Sequence, residues 1–200
     1  ERMRGLVAGD PLDEGFVHAL PFAVRPLRRG AADVDAQFRD AVRDGRFDYV
    51  VLFESSGMYR GEDVVGLASS LTSGRLDAVW GSRRLSVRDI EESYRFRYRR
   101  HALLGWLSYV GSHLLSLSCL ALFGRYISDT LSAVRAMRAA DAMELDVPLT
   151  HKRANEHLLA RLLRRKADIL EIPVQFLPIS PSLVKRTSVL EGLQALGALV

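Results

Sequence analysis

The fold is decided by residues 48–84, which read DYVVLFESSGMYRGEDVVGLASSLTSGRLDAVWGSRR. The run Asp48–Phe53 is β-branched and aromatic and follows an Asp-Gly turn signal, which predicts a buried strand. A helical pattern over Glu62–Leu71 leads through a Ser-Gly turn to a second apolar run at Leu76–Trp80. A strand, a helix and a strand in this order predict two parallel strands with the helix across one face of their sheet.

The same alternation continues on both sides of this segment. Shorter strands are predicted at Arg4–Ala8, Phe22–Pro26 and Ile169–Phe176, and helices at Ala31–Val42 and Arg153–Lys166. These elements predict an α/β fold, a single domain over the whole chain with a mostly parallel sheet covered by helices on both faces. Ligands of such sheets bind beyond the C-terminal ends of the strands, so the residues that follow each strand are the first site candidates.

Composition is that of an ordinary globular protein, with 48% apolar and 26% charged residues and a net charge of +4. The single Cys119 has no partner and no Cys/His pair has zinc spacing, which excludes a disulfide framework and a zinc finger and favours a reducing, cytoplasmic environment. Tyr94–Arg100 is basic with interleaved aromatics. Because this patch is single and the net charge is small, we predict no nucleic-acid partner.

Residues 92–124 join this basic stretch to an apolar run, Ala102–Phe123, that contains no Asp, Glu, Lys or Arg. The run is nearly long enough to cross a bilayer, but its serines and glycines make it a poor spanning segment. We predict a helix that is buried or lies at a membrane surface, where the flanking arginines suit anionic headgroups or a phosphate-bearing acceptor. His113, alone on an apolar face, is interpreted as a core histidine.

Two groups of polar residues follow the strongest predicted strands. Glu54 and Ser56 can hold a hard divalent cation or a sugar hydroxyl, or can simply begin a loop. Arg83 follows Gly81, and this pair is typical either of a backbone and guanidinium that bind a diphosphate or of a tight turn with a solvated arginine.

Two further carboxylate groups have a structural and a chemical interpretation each. Asp10 and Asp13 can hydrogen-bond a nucleotide base or ribose, or can cap a helix. Asp129 precedes an alternation of small and apolar residues at 131–137, where it is suited to be either a helix N-cap or a general base.

The order of these segments resembles the family 2 glycosyltransferases, which have the GT-A fold. Residues 48–84 are similar to the family's centre, where one strand ends in Asp-x-Asp and the next in Gly-Ser-Arg. Residues 106–138 resemble its f-G-x-x-i-s-D-x-x-t-G-y-R stretch, and residues 155–178 resemble its r-i-x-E-v-P-v-x-y-x-P segment. Residues 185–200 are similar to the tail of the bacterial polyprenyl-phosphate members. The resemblance runs from residue 7 to the end of the chain and consists of four blocks in the family's order.

The resemblance implies a GT-A fold whose usual first strand precedes this excerpt, and it implies a role for each matching residue. The residues that match donor-binding positions are Asp10, Asp13, Glu54, Ser56 and Arg83, and Glu54 also matches a ligand of Mg²⁺ or Mn²⁺. Asp129 matches the candidate base near the acceptor, and acceptor or phosphate binding falls to Arg135, Lys185 and Arg186.

The activity that the resemblance implies is transfer of a sugar from a nucleotide diphosphate sugar to an acceptor such as a polyprenyl phosphate, at the cytoplasmic face of the cell membrane. The sequence departs from the family pattern at Ser56, where the second metal aspartate is expected, at Ala133 and at Ile179. A catalytically degenerate domain that binds a nucleotide sugar, a lipid head or a protein is therefore the alternative. A sugar-nucleotide pyrophosphorylase is a third candidate function, and the order of the Gly-Ser-Arg motif in the chain argues against it. The sequence predicts no oligomeric state.

Overall fold

The structure is a computed structural model that describes residues 4–8, 23–27, 34–44, 47–53, 59–85, 102–145, 153–176 and 189–199. Within these residues, six strands and six helices follow one another along the chain. The strands are β1 Arg4–Ala8, β2 Ala23–Leu27, β3 Tyr49–Leu52, β4 Ala78–Ser82, β5 Arg135–Arg138 and β6 Ile169–Pro173. The helices are α1 Val34–Arg43, α2 Glu62–Ser73, α3 Ala102–Phe123, α4 Ala139–Met143, α5 Ala154–Arg164 and α6 Val189–Leu199.

The described strands form one mixed sheet in the order β2-β1-β3-β5-β4-β6. The pairs β1–β2, β1–β3 and β4–β6 are parallel, whereas β5 lies between β3 and β4 and runs antiparallel to both. The α/β class is confirmed. The prediction of a mostly parallel sheet holds only in part, because one inner strand runs opposite to its neighbours.

Five of the described strands, all except β5, end at one edge of the sheet, and β5 begins there. Leu52, the last residue of β3, pairs with Ala8 at the end of β1 and with Arg135 at the start of β5. At the end of β4, Ser82 pairs with Pro173 of β6. We call this the C-terminal edge. It is the edge at which α/β proteins place ligands.

Strands β3 and β4 are buried on both faces, which is why they are apolar runs rather than strict alternations. Val50, Leu52 and Trp80 belong to one cluster of buried side chains, and Val51 and Val79 belong to the other, as expected when successive side chains point to opposite faces. Helix α2 packs over the second cluster, and helices α1, α3, α5 and α6 pack over the first.

The apolar run predicted to be helical is α3, which has the predicted bounds Ala102–Phe123. It ends at Gly124, whose φ of 70° is a left-handed conformation that glycine adopts without a Cβ clash. By length and composition, Gly105–Phe123 is the one described helix segment that could cross a membrane, and 17% of its most apolar window is buried in the structure. One face of α3 packs against α6 and α5, so the helix is part of the domain.

Candidate functional site

A buried ion pair between Arg83 and Asp129 lies at the C-terminal edge. Arg83 is the first residue after β4, and Asp129 lies in the turn at residues 128–131 that precedes β5. The Arg83 Nε donates to Asp129 Oδ2 at 2.6 Å and its Nη2 donates to Oδ1 at 2.8 Å. The backbone N–H of Arg83 also donates to Oδ2, at 3.1 Å. This is the bidentate fork that makes an arginine–carboxylate pair both strong and directional.

Asp129 is ionised in this arrangement. Its side chain is 3% exposed, and burial by itself raises the pKa of a carboxyl group. The charge and hydrogen bonds of Arg83, helped by the charge of Arg84, outweigh burial and hold the pKa of Asp129 below its usual value. A carboxylate with a low pKa and both oxygens engaged is a weak proton acceptor. The structure therefore brings the predicted donor arginine and the predicted acceptor-side carboxylate together, with each as the other's partner.

The turn that carries Asp129 is held from two strands. The Trp80 indole Nε1 donates to the backbone carbonyl of Asp129 at 3.0 Å. Glu171 of β6 accepts hydrogen bonds from the backbone N–H of Ser128 at 2.9 Å and from its hydroxyl at 2.6 Å. The interpretation of Asp129 as a helix N-cap is wrong, because a strand rather than a helix follows this turn and Arg83 takes both carboxylate oxygens.

A chain of hydroxyls connects this turn to Arg84. The hydroxyls of Ser82 and Ser128 lie 2.7 Å apart, and the backbone N–H of Arg84 donates to Ser82 Oγ at 3.1 Å. Because the Ser128 hydroxyl donates to Glu171, Ser82 must donate to Ser128, and every hydrogen bond in the chain points toward the carboxylate. Glu171, Ser128 and Trp80 were not identified from the sequence. A glutamate inside the apolar run 169–176 was the available signal.

Arg84 contacts α3 through His113. Its Nη2 lies 2.9 Å from His113 Nε2. A guanidinium only donates, so Nε2 is the acceptor and the neutral ring carries its proton on Nδ1. Burial and then the charge of Arg84 lower the pKa of His113, and the Tyr109 ring packs edge-on against it at 4.4 Å. The interpretation of His113 as a core histidine is therefore wrong: it is partly exposed and bound to a cation beside the candidate site.

Arg135 is buried beneath the turn. Its Nη1 donates to the Ser132 carbonyl at 3.0 Å, its Nη2 donates to Asn155 Oδ1, and its guanidinium lies 5.3 Å from the Trp80 ring centroid. Burial lowers the pKa of Arg135 to about 10, against the opposing charge of Glu156. The structure thus places the predicted phosphate-binding Arg135 among protein partners, 4% exposed.

An aromatic cluster covers the other side of Arg83. The Arg83 guanidinium lies 5.4 Å from the Phe176 ring centroid, which is the geometry of a cation–π contact. The Phe176 ring packs edge-on against Tyr59 at 5.2 Å, and Tyr59 packs against Phe53 at 6.3 Å. Arg83 is therefore fixed between an aromatic ring and Asp129.

The other predicted site residues lie outside the described residues; these are Asp10, Asp13, Glu54, Ser56, Lys185 and Arg186. The chain reaches Asp10 and Glu54 two residues after β1 and β3 end at the C-terminal edge. Their predicted roles stay predictions.

Gly81 is required by close packing of the backbone. A Cβ at this position would lie 2.6 Å from Val174 Cγ1 and 2.9 Å from the Val134 carbonyl oxygen, to which Gly81 N–H donates at 2.9 Å. The close approach that the sequence suggested for a ligand is thus made by the protein itself.

We expect Gly81→Ala to destabilise the fold by roughly 1–3 kcal/mol, because the added methyl overpacks the sheet. Gly66→Ala is the matched control. Its Cβ would meet only Ile172 Cδ1, at 3.7 Å, and alanine is the better helix former, so it should stabilise by up to about 1 kcal/mol. Urea denaturation of both variants measures the difference, and equal shifts in the same direction would contradict the packing argument.

No protein-family model matches the chain, and no curated protein matches it.

Proposed function

We propose that the chain is a glycosyltransferase domain of the GT-A type, similar to family 2, that transfers a sugar from a nucleotide diphosphate donor to a lipid phosphate at the cytoplasmic face of a membrane. The observation that carries the proposal is the buried Arg83–Asp129 pair at the C-terminal edge. In the family that the sequence resembles, the matching residues lie beside the donor and the acceptor. Their direct contact here supports a single site that both substrates share.

The state of Asp129 favours an acceptor that is already ionised. A sugar or lipid hydroxyl must lose its proton as it attacks, and this requires a base with a free oxygen and a suitable pKa. Asp129 has a lowered pKa and both of its oxygens accept hydrogen bonds from Arg83. A phosphate monoester carries a nucleophilic oxyanion at neutral pH and needs no base. Asp129 then serves to position Arg83, and the acceptor supplies its own nucleophile.

The proposed reaction is a single displacement at the anomeric carbon. An acceptor phosphate oxygen forms the new bond to this carbon, while the bond from the carbon to the β-phosphate oxygen of the donor breaks. The nucleoside diphosphate leaves with the bonding electron pair. Arg83, fixed between Asp129 and Phe176, is a preorganised hydrogen-bond donor for the developing diphosphate.

The described side chains at this edge do not fit a metal ion. Within the described ranges, no group of three or more His, Cys, Asp or Glu side chains is placed to hold one. Asp129 and Glu171 are engaged by Arg83 and Ser128. Binding of Mg²⁺ or Mn²⁺ therefore rests on the prediction for Glu54, and no step of the reaction above is assigned to a metal.

The choice of acceptor tests the proposed function. We expect the purified protein to transfer label from a nucleotide sugar to a polyprenyl phosphate and not to the matching polyprenol, because the alcohol needs a base that Asp129 does not provide. Thin-layer chromatography of the lipid extract measures both products, with a panel of nucleotide sugars and with or without Mn²⁺. Equal transfer to the alcohol would contradict the argument about Asp129.

The degenerate domain is the second candidate function. Ser56 in place of the second metal aspartate favours it, as does the engagement of Asp129 by Arg83 and of Glu171 by Ser128. A nucleotide sugar that binds in calorimetry but is neither transferred nor hydrolysed in the assay would establish this candidate and exclude the first.

A further inference from the structure

The chain between α3 and the candidate site is fixed to β6, the outermost strand on its side of the described sheet. The carbonyl of Asp168 accepts hydrogen bonds from the start of β4, so the carbonyls of Ala167 and Ile169 point away from β4, to the outer side of the strand. Arg125 donates to both of these carbonyls, to that of Ala167 at 3.3 Å. We call residues 125–128 the connector. Its first residue is therefore attached to β6.

Glu171 attaches the other end of the connector to the same strand. The backbone N–H of Ser128 donates to Glu171 Oε1 at 2.9 Å and to Oε2 at 3.0 Å, and the Ser128 hydroxyl donates to Oε1 at 2.6 Å. Hydrogen bonds to a carboxylate are shorter than those between neutral groups and roughly twice as strong. The connector is thus held along β6 by one charged side chain at each end.

The contact with Glu171 is the strongest that Ser128 makes. The Ser128 hydroxyl also lies 2.7 Å from the Ser82 hydroxyl, which is a bond between two neutral groups. The Ser128 carbonyl accepts from the Ser116 hydroxyl of α3, but at 3.4 Å this bond is long. Because these two contacts are weaker, the position of Ser128 depends mainly on the carboxylate of Glu171.

The position of Ser128 sets the position of Asp129, which is the next residue in the chain. The carbonyl of Asp129 is held by the Trp80 indole at 3.0 Å, and its two carboxylate oxygens receive Arg83 Nε and Nη2 at 2.6 and 2.8 Å. A shift of Ser128 therefore changes how Asp129 presents its carboxylate to Arg83. Such shifts matter in a reaction site, where a misplacement of about 1 Å can lower the rate on the order of a hundredfold.

The residue type at position 171 fits this task and no simpler one. Leu170 and Ile172 flank Glu171 in the strand, and a carboxylate in such an apolar run has a desolvation cost. A glutamine has the same length, but only one of its two terminal atoms accepts hydrogen bonds. Since the Ser128 N–H lies near both Glu171 oxygens, the glutamine amide would set one donor against another.

We propose that Glu171 is a positioning residue of the candidate site, which orients Arg83 through Ser128 and Asp129, with Arg125 as its counterpart at the start of the connector. Glu171 acts through the turn and is assigned no contact with a substrate. Its effect on turnover rests on the proposed function. Its effect on the geometry of the turn does not, so the two can be measured separately.

The indole N–H of Trp80 reports the position of the turn, because it donates to the Asp129 carbonyl. The chain has two tryptophans, so protein labelled with ¹⁵N-tryptophan gives two indole peaks in a proton–nitrogen NMR spectrum, and Trp106→Phe identifies which peak belongs to Trp80. We expect Glu171→Gln to move the Trp80 peak upfield in the proton dimension, since this hydrogen bond lengthens when the turn shifts.

Transfer kinetics provide the second readout. With polyprenyl phosphate as the acceptor and the nucleotide sugar that is active in the transfer assay, Glu171→Gln should lower kcat about tenfold to a hundredfold. The KM for the nucleotide sugar should change little, because a misplaced Arg83 is felt chiefly as the leaving group develops its charge.

Asp77→Asn is the matched control for both readouts. Asp77 Oδ2 accepts from the backbone N–H of Asp168 at 2.9 Å, so this carboxylate also holds a backbone group beside β4 and β6, but at the opposite edge of the sheet. The variant should lose stability in urea denaturation while the Trp80 peak and kcat stay as in the parent protein. Equal changes in Asp77→Asn and Glu171→Gln would overturn the proposal, because Glu171 would then contribute stability alone.

Ser128→Ala tests the proposal with a smaller change, which removes the hydroxyl and keeps the backbone N–H. It should move the Trp80 peak in the same direction as Glu171→Gln, but by less. An unmoved Trp80 peak in Ser128→Ala would overturn the proposal even where Glu171→Gln does not fold. A parent protein that transfers no sugar, with a Trp80 peak that responds to both variants, would refute the proposed function and leave the hold of Glu171 on the turn established. Transfer by Glu171→Gln at the parent kcat would refute the positioning role alone.

Discussion

Asp129→Asn is expected to lower the free energy of unfolding by about 3 kcal/mol or more, because it removes one partner of a buried ion pair. The amide keeps the shape of the side chain, but it cannot accept hydrogen bonds from the Arg83 Nε, Nη2 and backbone N–H as the carboxylate does. Arg83, whose side chain is only 16% exposed, then loses the carboxylate that balances its charge.

The pH dependence of stability provides an independent check of the same pair. The folded pKa of Asp129 lies below the unfolded value of about 3.9. Its contribution is therefore complete above the unfolded pKa and is lost as the pH falls through the folded one. Acid unfolding below about pH 4 should be less steep in Asp129→Asn than in the parent protein.

Asp40→Asn is the matched control for this prediction. Asp40 lies on α1, is 74% exposed, and has an arginine partner at 3.9 Å, so its replacement should change stability by no more than about 0.5 kcal/mol. Urea denaturation at pH 7 and at about pH 3, which lies below the unfolded pKa, measures both variants. A similar small change in the two would show that the Asp129 pair does not stabilise the fold.

The central strands and the helix between them were predictable because local signals agree there. Residues 48–84 combine apolar runs that are buried on both faces with turn residues at each boundary. The bounds of α3 were also predictable, because a run without charges ends at a glycine that adopts a positive φ. In both cases the determinants are neighbours in the sequence.

Strand β5 could not be predicted, since its four residues Arg135–Arg138 contain two arginines. It pairs with both β3 and β4, and Arg135 tolerates burial because Trp80, Ser132 and Asn155 surround it. The candidate site also depends on contacts between residues that are far apart in the sequence. Arg83 and Asp129 were identified from the sequence, but no local signal indicates that residues 46 positions apart neutralise each other.

Arg135→Met is expected to lower the free energy of unfolding by about 3 kcal/mol. The change leaves Asn155 Oδ1 without its donor and leaves the Ser132 carbonyl with only the Asn155 Nδ2 donor at 3.5 Å, and an unsatisfied buried acceptor costs about 1–3 kcal/mol. It also removes the cation from the Trp80 ring and the favourable charge from Glu156. Thermal and urea denaturation measure the loss. Arg138→Met, at the half-exposed end of the same strand, should cost less than about 1 kcal/mol.

Part of the stability that Arg135→Met loses should be recovered when Glu156 is replaced as well. Burial raises the pKa of Glu156, so its ionisation disfavours the folded state as the pH rises above the unfolded value. Arg135 offsets this penalty, and without Arg135 the penalty grows. The double variant Arg135→Met, Glu156→Gln should therefore be more stable at pH 7 than Arg135→Met alone, whereas near pH 4 the two should converge because Glu156 is then protonated. Additive effects at both pH values would mean that the two groups do not interact, and Arg135 would then be held by Ser132, Asn155 and Trp80 alone.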